Sequence, residues 1–163
     1  MTQTDDSTER PRQQRRGRRI AMTEQERDAF LAEERTCRVA TIGADGPHAT
    51  PLWFHWDGTA LWIYSLVRSQ RWTDLMRDPR VAVIVDAGHD YEELRGVEML
   101  GTAEAVGPAP RDGEPVAELA AVESAFSRKY TGGDSQLAHD GRHGWLKVVP
   151  SKVTSWDFRK LPG

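Results

Sequence analysis

Arg68, Ser69 and Arg71 have the residue types and the spacing to hold a phosphate. They fall in the stretch from Ser65 to Val85, S-L-V-R-S-Q-R-W-T-D-L-M-R-D-P-R-V-A-V-I-V, which joins two apolar strands through one short helix. Ser69 is placed to cap that helix, and Arg68 and Arg71 stand within a turn of its unsatisfied N–H groups. Free amide donors, the positive end of the helix dipole and two guanidinium groups would converge there on an anion. A solvated basic helix between strands is the plainer alternative.

Other reactive side chains form no comparable constellation. His48 and His55 are seven residues apart on extended segments, so they point to opposite faces and cannot pair on a metal. With Tyr64 they are candidate proton donors, but none has an anchored partner visible in sequence. His139 and His143 lie in a polar loop, where solvation is the default. Cys37 is the single cysteine, which excludes an intramolecular disulfide and any multi-thiolate site and fits an inert core thiol. Neither G-x-G-x-x-G nor G-x-x-x-x-G-K-[ST] occurs.

The surrounding elements are read from periodicity and punctuation. Thr23 and Glu26 have capping-box spacing and open a helix carrying Phe30 and Leu31. Thr36 to Gly43 reads as a strand, with Ala44-Asp45-Gly46 as a tight connection to the next. His48 to Asp57 holds Leu52, Trp53, Phe54 and Trp56, apolar on both faces, and therefore asks for a second cover such as a partner subunit or a flat ligand. Pro51 cannot donate to a ladder and places this strand at an edge or bulge. Ala60 to Leu66 and Val81 to Val85 are strands flanking the basic helix, whose buried side is expected from Trp72, Leu75 and Met76. A long strand over Gly96 to Val106, a helix over Pro115 to Tyr130 and one or two strands over Trp145 to Phe158 complete the chain. Sequential hairpins with helices at the periphery predict a mainly β fold, an antiparallel barrel and not a doubly wound parallel sheet.

At 163 residues the chain suffices for one domain with its own core. No apolar run is long enough to span a bilayer and the N-terminus lacks a hydrophobic signal segment, so a cytoplasmic location without membrane contact is expected. The net charge of −3 hides an asymmetry: residues 1–19 hold six arginines against Asp5, Asp6 and Glu9, a net +3, and the remainder carries −6. Residues 1–20 are accordingly read as a disordered basic tail and 21–163 as the folded domain. An acidic body argues against nucleic acid as a partner.

The blocks R-V-A-T-I-G-A-D-G-P-H-A-T-P-L-W (Arg38 to Trp53), L-W-I-Y-S-L-V-R-S-Q-R (Leu61 to Arg71) and L-M-R-D-P-R-V-A-V-I-V (Leu75 to Val85) carry a resemblance, as do Y-E-E-L-R-G-V (Tyr91 to Val97) and G-T-A-E-A-V (Gly101 to Val106). In order and spacing they resemble the pyridoxamine-phosphate-oxidase-like superfamily, and within it the actinobacterial branch that binds FMN or the deazaflavin coenzyme F420. The resemblance implies an FMN-binding split-barrel-like fold, that is, an antiparallel split β-barrel. It also implies a homodimer with the cofactor at the subunit interface, and hydride transfer from reduced F420, or alternatively FMN, to a small conjugated acceptor. By position, Ser69 matches the family's phosphate-binding serine and Arg71 stands where lysine is usual, exchanging a point donor for a planar fork; Arg68 adds a third contact. Thr50, Pro51, Leu52 and Trp53 correspond to residues beside the ring, and Tyr64 and Ser65 to the segment near the ribityl chain or phosphate. Arg38 or Arg95 would anchor the acidic tail of F420. Non-catalytic alternatives are a flavin, deazaflavin or haem-binding dimer, and a dimerisation module with no cofactor.

Overall fold

Thr23 fixes the first boundary of the fold. In the computed structural model, which describes residues 10–132, 137 and 139–162, its side chain accepts from the Glu26 N–H while the Glu26 carboxylate accepts from the Thr23 N–H, so the capping box is complete. Helix α1 (Glu24–Glu33) follows and buries Phe30 and Leu31. Next come β1 (Cys37–Gly43), β2 (Gly46–Leu52), the two-residue β3 (His55–Trp56) and β4 (Leu61–Leu66). Helix α2 (Gln70–Arg77) leads into β5 (Arg80–Ala87), β6 (Arg95–Val106), α3 (Ala117–Thr131) and β7 (His143–Asp157). Gly132, at φ +81°, ends α3 in the left-handed conformation that a side chain disfavours.

The seven strands form one antiparallel sheet in the order β2-β1-β5-β6-β7-β4-β3. This corrects the expected barrel: the sheet is open, with β2 and β3 as its two edges, and with three helices the fold is mixed α/β. Closure would require pairing between β2 and β3, which adjoin in sequence through Trp53 and Phe54. That link is satisfied elsewhere. The Phe54 N–H donates to the Tyr130 hydroxyl of α3 at 2.9 Å, and the same hydroxyl lies 2.7 Å from the Phe54 carbonyl. Pro47 and Pro51 further remove two donors from β2, as befits an edge strand.

Two cores flank the sheet. On one face Val39, Ile63, Val83, Met99 and Leu146 pack with Phe30 and Leu31 of α1 and Trp72 and Leu75 of α2. On the other, Trp62, Val106 and Trp145 pack with Leu119, Val122 and Phe126 of α3. Strand β4 is buried on both faces, since Leu61, Ile63 and Ser65 alternate with Trp62 and Tyr64. Part of the cover for Trp53, Phe54 and Trp56 comes from the same chain: Trp53 stacks on Tyr130 of α3 at 4.4 Å yet stays 50 % exposed, Lys129 lies 4.0 Å from the Phe54 ring, and Trp56 donates to Asp28 of α1 at 2.8 Å.

Strand β7 runs unbroken through Pro150 because the ladder to β6 absorbs the irregularity as a bulge. Leu100 opposes Lys152 and Gly101 opposes Pro150, leaving Ser151 extra. Gly101 is required there, for a Cβ would stand 2.1 Å from the Val149 carbonyl oxygen. Residues 10–22, mostly within the segment read as a disordered tail, run as an arm beside β7, where Arg12 bridges to Lys152. Residues 1–9 lie outside the described residues.

Candidate functional site

The alternation of β4 decides which predicted residues meet. It aims Ser65 toward α2 and Tyr64 toward α3, so the two are on opposite faces. Position 50 of β2 shares the α2 side. Between them enters Arg71, one residue into α2 and only 6 % exposed. Its Nη2 and Nε donate to the Ser65 hydroxyl at 3.0 and 3.3 Å, and its Nη1 donates to the Thr50 hydroxyl at 2.5 Å.

No carboxylate faces this guanidinium among the described residues. Three of its five N–H donors are used, all on neutral hydroxyls, and burial draws its pKa below the ordinary arginine value. Asp74, one turn further along α2, is engaged otherwise: it accepts from Thr41 and Gln70, each at 2.8 Å, and lies 3.7 Å from Arg77. Its pKa is lowered, chiefly by the Gln70 hydrogen bond. A buried guanidinium without a counter-ion is costly unless an anion supplies the missing charge. His48 lies two residues before Thr50, and its buried Nδ1 has no hydrogen-bond partner.

Ser69 and Arg68 lie elsewhere around the helix start. Ser69 caps α2, accepting from the Trp72 N–H at 3.2 Å and donating to the Leu66 carbonyl at 2.8 Å. With exposed Arg68 it lines a cavity of about 400 Å³ shared with Leu66, Pro110 and Arg142, which Arg71 does not line. The anticipated triad is thus divided between an inner seam at Arg71 and an outer cavity at Arg68 and Ser69. Leu52 packs against the core, Pro51 lies exposed opposite Arg38, and Trp53 is 50 % exposed on α3.

Tyr64 joins a different group. Its ring stacks on His143 at 4.9 Å, its hydroxyl is buried without a partner, and burial followed by Asp140 and Glu123 pushes its pKa up to about 12. Beside it Arg111, 2 % exposed, donates to Glu123 at 2.7 and 3.3 Å, and Glu123 also accepts from the Trp145 indole at 3.0 Å. His143 shares its Nδ1 with Asp140 at 2.9 Å. Asp74, Arg111 and Asp140 were not legible as partners, because each contact joins residues through the fold or a loop; only the Arg71 to Asp74 spacing, one turn apart on α2, hinted at a shared face. Among the described residues no group of three or more His, Cys, Asp or Glu could hold a metal, and no helix is long and apolar enough to cross a membrane.

Residues 23–157 match the family model for pyridoxamine 5'-phosphate oxidase. The chain belongs to the pyridoxamine 5'-phosphate oxidase family. Its architecture is thus that of an oxidoreductase family related to flavin-binding proteins. A conserved hypothetical protein from Mycobacterium tuberculosis is 33 % identical over 93 % of this chain and 95 % of that one, with a TM-score of 0.75. A putative 5-nitroimidazole antibiotic resistance protein from Bacteroides thetaiotaomicron shares the fold at 17 % identity and TM-score 0.67, covering 83 % of this chain and 84 % of its own. A structure described as an F420 reductase does so at 23 % identity and TM-score 0.59, covering 77 % and 94 %. No curated protein matches the sequence.

Proposed function

We propose that this member of the pyridoxamine 5'-phosphate oxidase family binds FMN and acts as a flavin-dependent oxidoreductase. The observation that carries the proposal is the buried Arg71, hydrogen-bonded to Thr50 and Ser65 and facing no carboxylate. Its two remaining N–H donors suit two oxygens of a terminal phosphate, and a charge-assisted pair in a desolvated seam is among the stronger polar contacts. Thr50 and Ser65 fix the guanidinium plane, and His48 offers an unpartnered ring nitrogen on the same strand. When bound, the isoalloxazine supplies the hydride chemistry, so no side chain need be a nucleophile.

The dimer expected from the resemblance is part of the same proposal. Coenzyme F420 is the second reading, favoured by the likeness to the F420 reductase. Of the two arginines expected to anchor its acidic tail, Arg38 pairs with Asp86 at the surface and the Arg95 guanidinium lies 5.1 Å from the Phe30 ring.

Side-by-side titration of desalted protein with FMN and F420 tests the reading. Saturable FMN binding at one site per subunit supports it; binding of F420 alone transfers the site to the deazaflavin, and binding of neither removes the cofactor role.

A further inference from the structure

The arm preceding α1 is fastened almost entirely by neutral groups. The Arg12 N–H donates to the Ser151 carbonyl at 2.9 Å, a group that the β7 bulge leaves outside the ladder. Gln14 accepts from the Ser155 N–H at 2.9 Å and donates to its carbonyl at 3.1 Å, while the Asp157 N–H donates to the Ile20 carbonyl at 2.7 Å. None of these bonds uses a guanidinium. Arg12, Arg15, Arg16 and Arg18 have no ion-pair partner among the described residues, and neither has Lys152.

These five cations line one groove of about 860 Å³ between the arm and the outer face of β6 and β7, with Glu98 as its one carboxylate. Folding therefore gathers like charges that repel one another and holds them in place by hydrogen bonds that do not depend on them. The arrangement gains its favourable counter-charge only from outside. The volume is that of a small-molecule site, and the groove carries no aromatic side chain on which a nucleobase could stack. We propose that this groove binds a small molecule bearing three or more oxyanion charges, at a site separate from Arg71.

Calorimetric titration of the full chain with tripolyphosphate and with citrate, at about 0.15 M ionic strength, tests this and separates phosphate from carboxylate preference. The proposal expects saturable one-to-one binding of at least one probe. Arg15→Ala and Lys152→Ala should each weaken it about tenfold, as loss of one charge-assisted contact does. Gln14→Ala should weaken it similarly although it removes no charge, because it releases the arm from β7; Arg71→Ala should leave it unchanged. Absence of saturable binding by either probe overturns the proposal. So does wild-type affinity in both Gln14→Ala and Lys152→Ala, which would make the arm a loose charge, or loss of binding in Arg71→Ala, which would move the probe to the other site. Tighter binding of a single-stranded oligonucleotide than of either probe would assign the arm to nucleic acid instead.

Discussion

The Arg71 guanidinium and the Ser65 hydroxyl, 3.0 Å apart across α2 and β4, form a buried polar contact in which the positive charge has no carboxylate to balance it. Such a pair costs stability in the free protein and becomes favourable when an anion arrives. Function and stability therefore pull in opposite directions at this residue.

Arg71→Met separates the two. The variant should unfold at the same temperature as the wild type or higher in the absence of ligand, since an apolar side chain of similar length replaces a desolvated cation. Its affinity for FMN should fall by roughly 1.5–3 kcal/mol. Thermal denaturation and a fluorescence titration check the two halves. A clear loss of stability together with wild-type affinity would make Arg71 a purely structural residue.

Much of this region was legible beforehand. The Thr23 and Ser69 caps depend on residues three positions apart, and local patterns of that kind survive folding unchanged. Trp72 and Leu75 are buried as their spacing predicts, yet Met76 is 50 % exposed, and the buried face of α2 instead includes Arg71 and Asp74. An apolar stripe does not reveal buried polar residues, which here are satisfied by hydroxyls on β1, β2 and β4. Barrel closure is not legible in sequence because it is decided by a long-range competition, in which Tyr130 takes the backbone groups of Phe54. The division of Arg68 and Ser69 from Arg71 reflects the change from extended backbone at the Ser69 cap to helical backbone from Gln70 onward, which proximity in sequence conceals.

The buried ion pair of Arg111 with Glu123 fastens the segment before α3 to that helix, and the Glu123 hydrogen bond raises the arginine's pKa. Arg111→Ala should destabilise the protein by about 3 kcal/mol, because it leaves Glu123 and the Trp145 indole with an incomplete network. The double variant Arg111→Met with Glu123→Leu should recover most of that loss. Urea denaturation of the three proteins measures both effects; a loss below about 1 kcal/mol in Arg111→Ala would show the pair to be solvated.

Lys129 donates to the Leu31 carbonyl at 2.9 Å and lies over Phe54, and burial pulls its pKa down to about 8. Between that value and the ordinary lysine pKa of about 10.4 the unfolded chain binds more protons than the folded one. The penalty from this lysine therefore diminishes as pH rises through that window. The stability difference between wild type and Lys129→Met should shift toward the wild type from pH 7 to pH 10; a difference independent of pH would contradict the assignment.

Asp74 stabilises the fold where Lys129 costs it, although both contributions improve as pH rises. Hydrogen bonds from Gln70 and Thr41 lower its pKa, so the stability it contributes is present above the ordinary carboxylate range and is lost as pH falls through its folded-state value. Acid denaturation of Asp74→Asn should show a shallower decline at low pH than that of the wild type. Superimposable acid limbs would exclude Asp74 as a contributor.

If Arg71 holds the phosphate of a flavin, the protein must distinguish FMN from riboflavin, since the two differ by that group alone. Wild-type protein should bind FMN at least about tenfold more tightly than riboflavin, and Arg71→Ala should abolish the preference while retaining weak binding of both. Equal affinity of the wild type for the two, or a preference undiminished in Arg71→Ala, would contradict it.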